Sequence, residues 1–223
     1  MPREPFPGAI TALESQAKVR KHLGQRVNIF INDRFSFALD ASLVMRHGLR
    51  LGFVVTKELL TELLREDGDA RAYARAVHFM GYRVRSIAEV RARLERDEWP
   101  NAVIDRVLQR LAAEGMLNDT NFAATWVEHR SLSRPRGAYA LTQELRRKGV
   151  ARDDITAALP DSEQELDNAV AALRTRLRLW EKLDERARQE KVLGFLQRRG
   201  FSYSTARAAL RQVDDEALES EGS

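Results

Sequence analysis

A repeat with a period of fifty-one residues constrains this chain more than any other feature. Leu94, Leu145 and Leu196 are spaced by it, as are Leu108, Leu159 and Leu210. Val90, Leu141 and Val192 stand one helical turn before the first set, and Ile104, Ile155 and Ala206 one turn before the second. Apolar pairs four residues apart mark helix faces. Between them fall Trp99, Val150 and Phe201, the last two just past Gly149 and Gly200, where glycine suits the left-handed residue that closes a helix. Each copy therefore reads as helix, turn, helix. The first copy departs by carrying Glu98 where the others have glycine, a difference that bears on its inter-helix turn.

A period of this length marks an array in which each unit buries its apolar face partly against its neighbours. Three units are expected, at residues 69–115, 116–160 and 161–213, presenting an elongated helical surface. Asp69 opens the first, with Tyr73 and Val77 on one helix face. Ser86 and Glu89 form a capping box for its second helix, and Pro100 falls in the first turn of its third. Asn118-Asp119 opens the second unit, which carries Phe122 and Trp126. Ser162 and Glu165 read as a capping box for the third, whose first helix is expected from Leu166 to about Trp180. The acidic tail at 214–223 lacks a large apolar face and is expected to be disordered.

Residues 1–67 read differently. From Ile10 to Leu39 the pattern alternates with period two, Val27, Ile29 and Ile31 sharing one face and Phe35, Phe37 and Leu39 another. Asn32-Asp33 between them predicts a hairpin, with a further strand before it. Asp40 can cap a short helix stopped by Gly48, and Thr56 can cap the helix that follows, with Val55 and Leu60 as its hydrophobic staple. The fold class is thus mainly α, three tandem helical repeats preceded by a small α+β unit with a β-hairpin.

Composition narrows the functional classes. The chain has no cysteine, which excludes disulfides and cysteine-ligated zinc. It has no run near the ~20 apolar residues that span a bilayer, and its start lacks a signal peptide's apolar segment, so a cytoplasmic protein is expected. His22, His47, His78 and His129 are scattered, and no nucleotide-binding, hydrolase or metalloprotease motif occurs. The pair Asp153-Asp154 fits the start of a helix, where carboxylates answer the dipole. No catalytic residue, cofactor site or metal site is expected.

The basic residues carry the functional reading. Net charge is only +4, but arginine supplies 31 of the 37 basic residues, and they cluster. Arg134 and Arg136 flank Pro135, Arg146-Arg147-Lys148 end a repeat helix, and Arg152 lies beyond the turn. Arg198-Arg199 recur in the third unit, and Arg91 and Arg93 stand in the first. Bases at a helix C-terminus offset its dipole, which accounts for some of them but not for the loop arginines. Recurring clusters along an array would form a basic stripe suited to phosphates. Trp99, Trp126, Trp180 and Phe201 are expected in the core rather than as stacking platforms for bases.

With these residues in view, the chain resembles the RecX family of regulators of the recombinase RecA. The likeness rests on GMLNDTNFA at Gly115 to Ala123, on Arg136-Gly137 followed by Glu144-Leu145 and Lys148-Gly149, on Ile155 to Leu159, and on FLQRRGFS at Phe195 to Ser202. It covers most of Asp69 to Val213. The resemblance implies a crescent of three three-helix units and a non-enzymatic monomer that binds the RecA filament on DNA. It also implies inhibition of strand exchange, ATPase and coprotease activity, and hence a part in homologous recombination, DNA repair and the SOS response. Single- and double-stranded DNA are the further partners, held weakly and in a salt-dependent way. Two alternatives compete: a helix-turn-helix regulator acting directly on DNA, for which Pro100, Ala151 and Ser202 offer little base-reading chemistry, and a structural scaffold, which would not need the loop arginines.

Overall fold

The computed structural model describes residues 4–16, 25–180 and 182–221, with side chains placed through 217. His22 lies outside the described residues. The chain forms two compact units, one from its start to Arg85 together with Val90–Leu117, the other from Ser86–Glu89 and from Asn118 onward.

The first unit begins with an antiparallel sheet of β1 (Gly8–Ser15), β2 (Arg26–Ile31), β3 (Arg34–Asp40) and the two-residue β4 (Val54–Val55), in the order β3-β2-β1-β4. The expected hairpin is β2–β3. Asn32 and Asp33 both have positive φ, 52° and 57°, the primed turn whose twist matches the strands. Ile29, Ile31, Phe37 and Leu39 enter the core as the alternation requires. Phe35 does not. A register shift between Ile29 and Phe30 pairs Phe35 with Phe30 instead, and the two rings meet edge to face at 6.0 Å outside the core. β4 is too short for periodicity to reveal.

Helix α1 (Ala41–Arg46) is capped by Asp40, and Thr56 caps α2 (Lys57–Met80), both as expected. The boundary expected between residues 67 and 69 is absent, because α2 runs unbroken through Gly68. A mid-helix glycine costs about 1 kcal/mol, and contacts on either side of it outweigh that. Asp67, only 4% exposed, accepts from Arg26 at 2.8 Å and from the Asp40 amide at 2.9 Å, while Asp69 accepts from Arg106 at 2.8 and 2.7 Å. One helix thus serves both the sheet and the first repeat, which continues with α3 (Ile87–Arg96) and α4 (Asn101–Ala113). Pro100 is the N-cap of α4 rather than its first residue, and its carbonyl takes the first helical bonds.

The second repeat is α5 (Asp119–Ser133), α6 (Ala138–Arg147) and α7 (Arg152–Ala158). The third is α8 (Ser162–Arg174), α9 (Glu185–Arg198) and α10 (Tyr203–Glu221), with a single 3-10 turn at Leu177–Leu179. Helix α7 stops early because Leu159 precedes Pro160, which bars it from helical ψ; Leu159 sits at ψ 144° and is only half buried. Helix α8 ends at Arg174, short of the expected Trp180, and its cap is Asp161, whose carboxylate accepts from Glu163 and Gln164. Ser162 is the first helical residue and Glu165 turns elsewhere. The tail expected to be disordered instead continues α10 to Glu221, held by ion pairs of Asp214 with Arg188 and Glu216 with Arg174.

The repeated positions have one structural cause. Trp99, Val150 and Phe201 each donate an amide bond to the carbonyl of Leu94, Leu145 and Leu196, and the residue before each bonds one carbonyl further on, to Glu95, Arg146 and Gln197. This is the Schellman end, in which the residue past the left-handed position also packs on the helix it closes. Glu98 occupies that left-handed position at φ 62°, beside 76° for Gly149 and 86° for Gly200. The substitution does not change the turn.

Candidate nucleic-acid interface

In the second unit, the turn closing α6 or α9 docks on the start of the middle helix of the preceding repeat. Lys148 O accepts the Ser86 hydroxyl at 2.6 Å, and fifty-one residues on, Arg199 O accepts the Gly137 amide at 3.0 Å. Both contacts require near-touching backbones. A Cβ on Gly149 would overlap Ala88, one on Gly137 would overlap the Gly200 carbonyl, and one on Gly200 would overlap Ala140.

The two junctions differ in charge. At the first, Lys148 is drawn inward over the Trp126 ring at 4.7 Å and pairs with Glu89 at 2.8 Å, the two side chains 20% and 19% exposed. Glu89 also closes the capping box with Ser86 that the sequence predicts. At the second junction, Ala140 stands where the period places Glu89, and among the described residues no carboxylate pairs with Arg199. Arg199 lies over Phe195 at 4.7 Å and donates to Pro135 O at 3.3 Å. Burial first, and then the like charges of Arg136, Arg176 and Arg134, hold its guanidinium below the ordinary arginine range. An arginine depressed by its neighbours marks a place where positive charge is gathered.

The acid that Arg136 approaches is already engaged. Glu144 accepts from Trp126 Nε1 at 2.9 Å and Arg130 Nε at 2.8 Å, and Arg136 Nε approaches it only to 3.7 Å, buried and without a hydrogen bond. Arg134, Arg176 and Arg199 make no ion pair among the described residues. The loop between α5 and α6, the end of α9 and the segment after α8 thus bring four guanidiniums together, of which only Arg136 comes within ion-pair reach of a carboxylate among the described residues.

Of the arginines and the lysine singled out from sequence, the structure gathers Arg134, Arg136 and Arg199. Arg91 is paired with Asp105 at 2.6 Å and Arg93 with Asp97 at 3.1 Å, Lys148 is consumed by Glu89, and Arg147 bonds Gln143 O of its own helix at 3.2 Å. Arg146, Arg152 and Arg198 are exposed and make no ion pair among the described residues. The continuous triplet 146–148 is therefore not a single surface. Arg176 was missed; its signal is the run RTRLR at Arg174 to Arg178, whose position is set by where α8 ends. The core reading holds for Phe201, and Trp126 and Trp180 pack against their cores, whereas Trp99 is half buried beneath Arg71 at 5.4 Å.

Family models for the first, second and third three-helix domains of RecX match residues 72–111, 118–159 and 163–210, and one for the N-terminal domain of regulatory protein RecX matches 8–56. Regulatory protein RecX of Bacillus velezensis is 31% identical over 214 residues, which span 93% of this chain and 80% of that protein. Its counterpart in Bacillus subtilis is 32% identical over 209 residues, 93% of this chain and 78% of the other. A crystal structure of regulatory protein RecX shares the fold with a TM-score of 0.70 at 24% identity, covering 91% of this chain and 98% of that one.

Proposed function

Since the chain belongs to the RecX family of regulatory proteins, we propose that it acts on the recombinase RecA, chiefly as a non-enzymatic inhibitor. In this reading it binds the RecA filament on DNA as a cytoplasmic monomer and suppresses strand exchange, ATP hydrolysis and coprotease activity. Among the described residues no helix is long and apolar enough to cross a membrane, which accords with a partner met in solution. The observation that carries the reading is the second junction, where Arg134, Arg136 and Arg176 gather about Arg199, whose carbonyl is held by the Gly137 amide, and where Arg136 alone of the four has an ion pair among the described residues. Phosphates of the filament's DNA are the complementary charge, and contact with them displaces condensed counterions, so binding weakens as salt rises. Arginine is suited to this because its planar fork offers paired donors to phosphate oxygens.

The test is RecA's DNA-dependent ATP hydrolysis with this protein added below the RecA concentration. Turnover should fall, the protein alone should hydrolyse no ATP, and the triple variant Arg134→Ala, Arg136→Ala, Arg199→Ala should inhibit less. Unchanged RecA turnover at saturating protein refutes the proposal.

A further inference from the structure

Tyr139 is 71% exposed on the first turn of α6, and its hydroxyl has no hydrogen bond among the described residues. Its place in the repeat makes this unusual. The period sets it opposite Ala88, whose Cβ already touches the backbone of Gly149 and which therefore has to be small. At the second junction the glycine contact falls one residue further along, on Ala140, while the bond from the Gly137 amide to Arg199 O keeps the period. That shift frees position 139 from the packing, and the ring it carries stands at the edge of an open pocket of about 340 Å³. Phe201 and Gly200 line the pocket, with Glu165, Gln197 and Ser202 among its polar residues. One Glu165 oxygen is committed to the Ala138 amide at 2.8 Å. Residues 136 and 199 of the arginine cluster immediately precede the two glycines of this same junction.

We propose that Tyr139 is a stacking platform for an unpaired nucleobase, so that the second junction takes a single strand whose phosphates meet the arginines and one of whose bases lies on the tyrosine. The inference rests on the reading of the arginines as phosphate contacts. An exposed aromatic beside a cationic backbone track is the arrangement by which proteins hold single strands without sequence preference, since every base has a π face. In a duplex the bases are already stacked on each other and cannot reach a side chain here.

The test titrates the full chain and its Tyr139→Ala and Tyr139→Phe variants against oligothymidylate, an abasic strand of equal length and a duplex. Tyr139→Ala should bind oligothymidylate about 5- to 150-fold more weakly, the range that loss of one stacked base gives. Tyr139→Phe should bind as wild type does, and the salt slope should be the same for all three. The abasic strand should not distinguish wild type from Tyr139→Ala. Thermal unfolding of Tyr139→Ala should match wild type, since the ring is exposed. Undiminished binding of oligothymidylate by Tyr139→Ala, or an equal loss on the abasic strand, overturns the stacking role and leaves the arginine reading standing. Failure of wild type to bind any of these strands overturns both.

Discussion

Gly200 and Gly115 allow the docking of successive repeats to be weighed against backbone strain alone. Both close a helix in the left-handed region, at φ 86° and 70°, and both make the same pair of closing bonds. They differ in what a methyl group would meet. At Gly115 it would meet nothing within 4 Å, so Gly115→Ala should lose only the left-handed penalty, about 1–2 kcal/mol. At Gly200 it would overlap the Cβ and amide nitrogen of Ala140, atoms of an anchored helix rather than the end of a flexible side chain. Gly200→Ala should lose the same penalty plus that of forcing a packed contact apart, about 1–3 kcal/mol, for a total of roughly 2–5 kcal/mol. Glu98→Gly runs the comparison in reverse, since Glu98 already bears the strain at φ 62°; relief of it, offset by the looser unfolded chain, should leave a gain below about 1 kcal/mol. Urea unfolding followed by circular dichroism measures all three. Equal losses at Gly115 and Gly200 would show that the junction is not the close contact described and does not hold Arg199 beside Arg134 and Arg136.

Two further outcomes follow from the charges. Lys148→Ala should destabilise the fold by removing a charged hydrogen bond to the largely buried Glu89, about 1–3 kcal/mol, with no change in the salt slope of DNA binding, whereas the Arg134/Arg136/Arg199 triple alanine variant should lower that slope by about 2 on a single strand; similar slopes for both proteins would count against the assignment. Burial first, then the nearby charges of Asp154 and Glu89, raises the Asp119 carboxyl above its ordinary value despite the bond it accepts from the Ile87 amide at 2.8 Å. A carboxyl raised on folding disfavours the folded state once ionised, and the penalty grows from the unfolded pKa of about 3.9 upward and is complete above the folded one. Asp119→Asn keeps the acceptor and removes the charge, so its stability relative to wild type should increase as pH rises through that window; a pH-independent difference between the two would refute the linkage.

Periodicity and turn chemistry were legible because they depend on residues close in sequence. The hairpin at Asn32-Asp33, the caps at Asp40, Thr56 and Asn118, and the leucines that recur at each Schellman end all follow from local rules. Failures occurred where a distant partner decided the matter. A boundary is expected between residues 67 and 69, yet Arg26 and Arg106 hold one continuous helix on either side of Gly68. Glu165 reads as half of a capping box, yet its carboxylate goes to Ala138, twenty-seven residues away. Lys148 looks equivalent to its two arginine neighbours until Glu89, fifty-nine residues away, is seen to neutralise it. Which charges pair across the fold is not written in spacing. For that reason the sequence marks the basic residues that recur, while only the fold separates those engaged in ion pairs, such as Arg91, Arg93 and Lys148, from those gathered at the second junction.

The two junctions also separate what docking requires from what it does not. Each needs a carbonyl at the turn, a donor from the preceding repeat and residues small enough for the backbones to meet, and Ser86 with Ala88 meets these needs as well as Gly137 with Ala140. Charge is not among them. At the first junction the cation is Lys148 and its acid is supplied, which adds to stability and leaves little field outside. At the second, position 199 is arginine, position 140 has no carboxylate, and two loop arginines and Arg176 stand close enough to depress Arg199. Mutual repulsion of this kind opposes folding and would be relieved by a bound polyanion, which favours the proposed phosphate contact over a role in packing. The proposed phosphate contact therefore belongs to the second junction in particular, where the strand's charge would be met and where the neighbouring position 139 is released from packing.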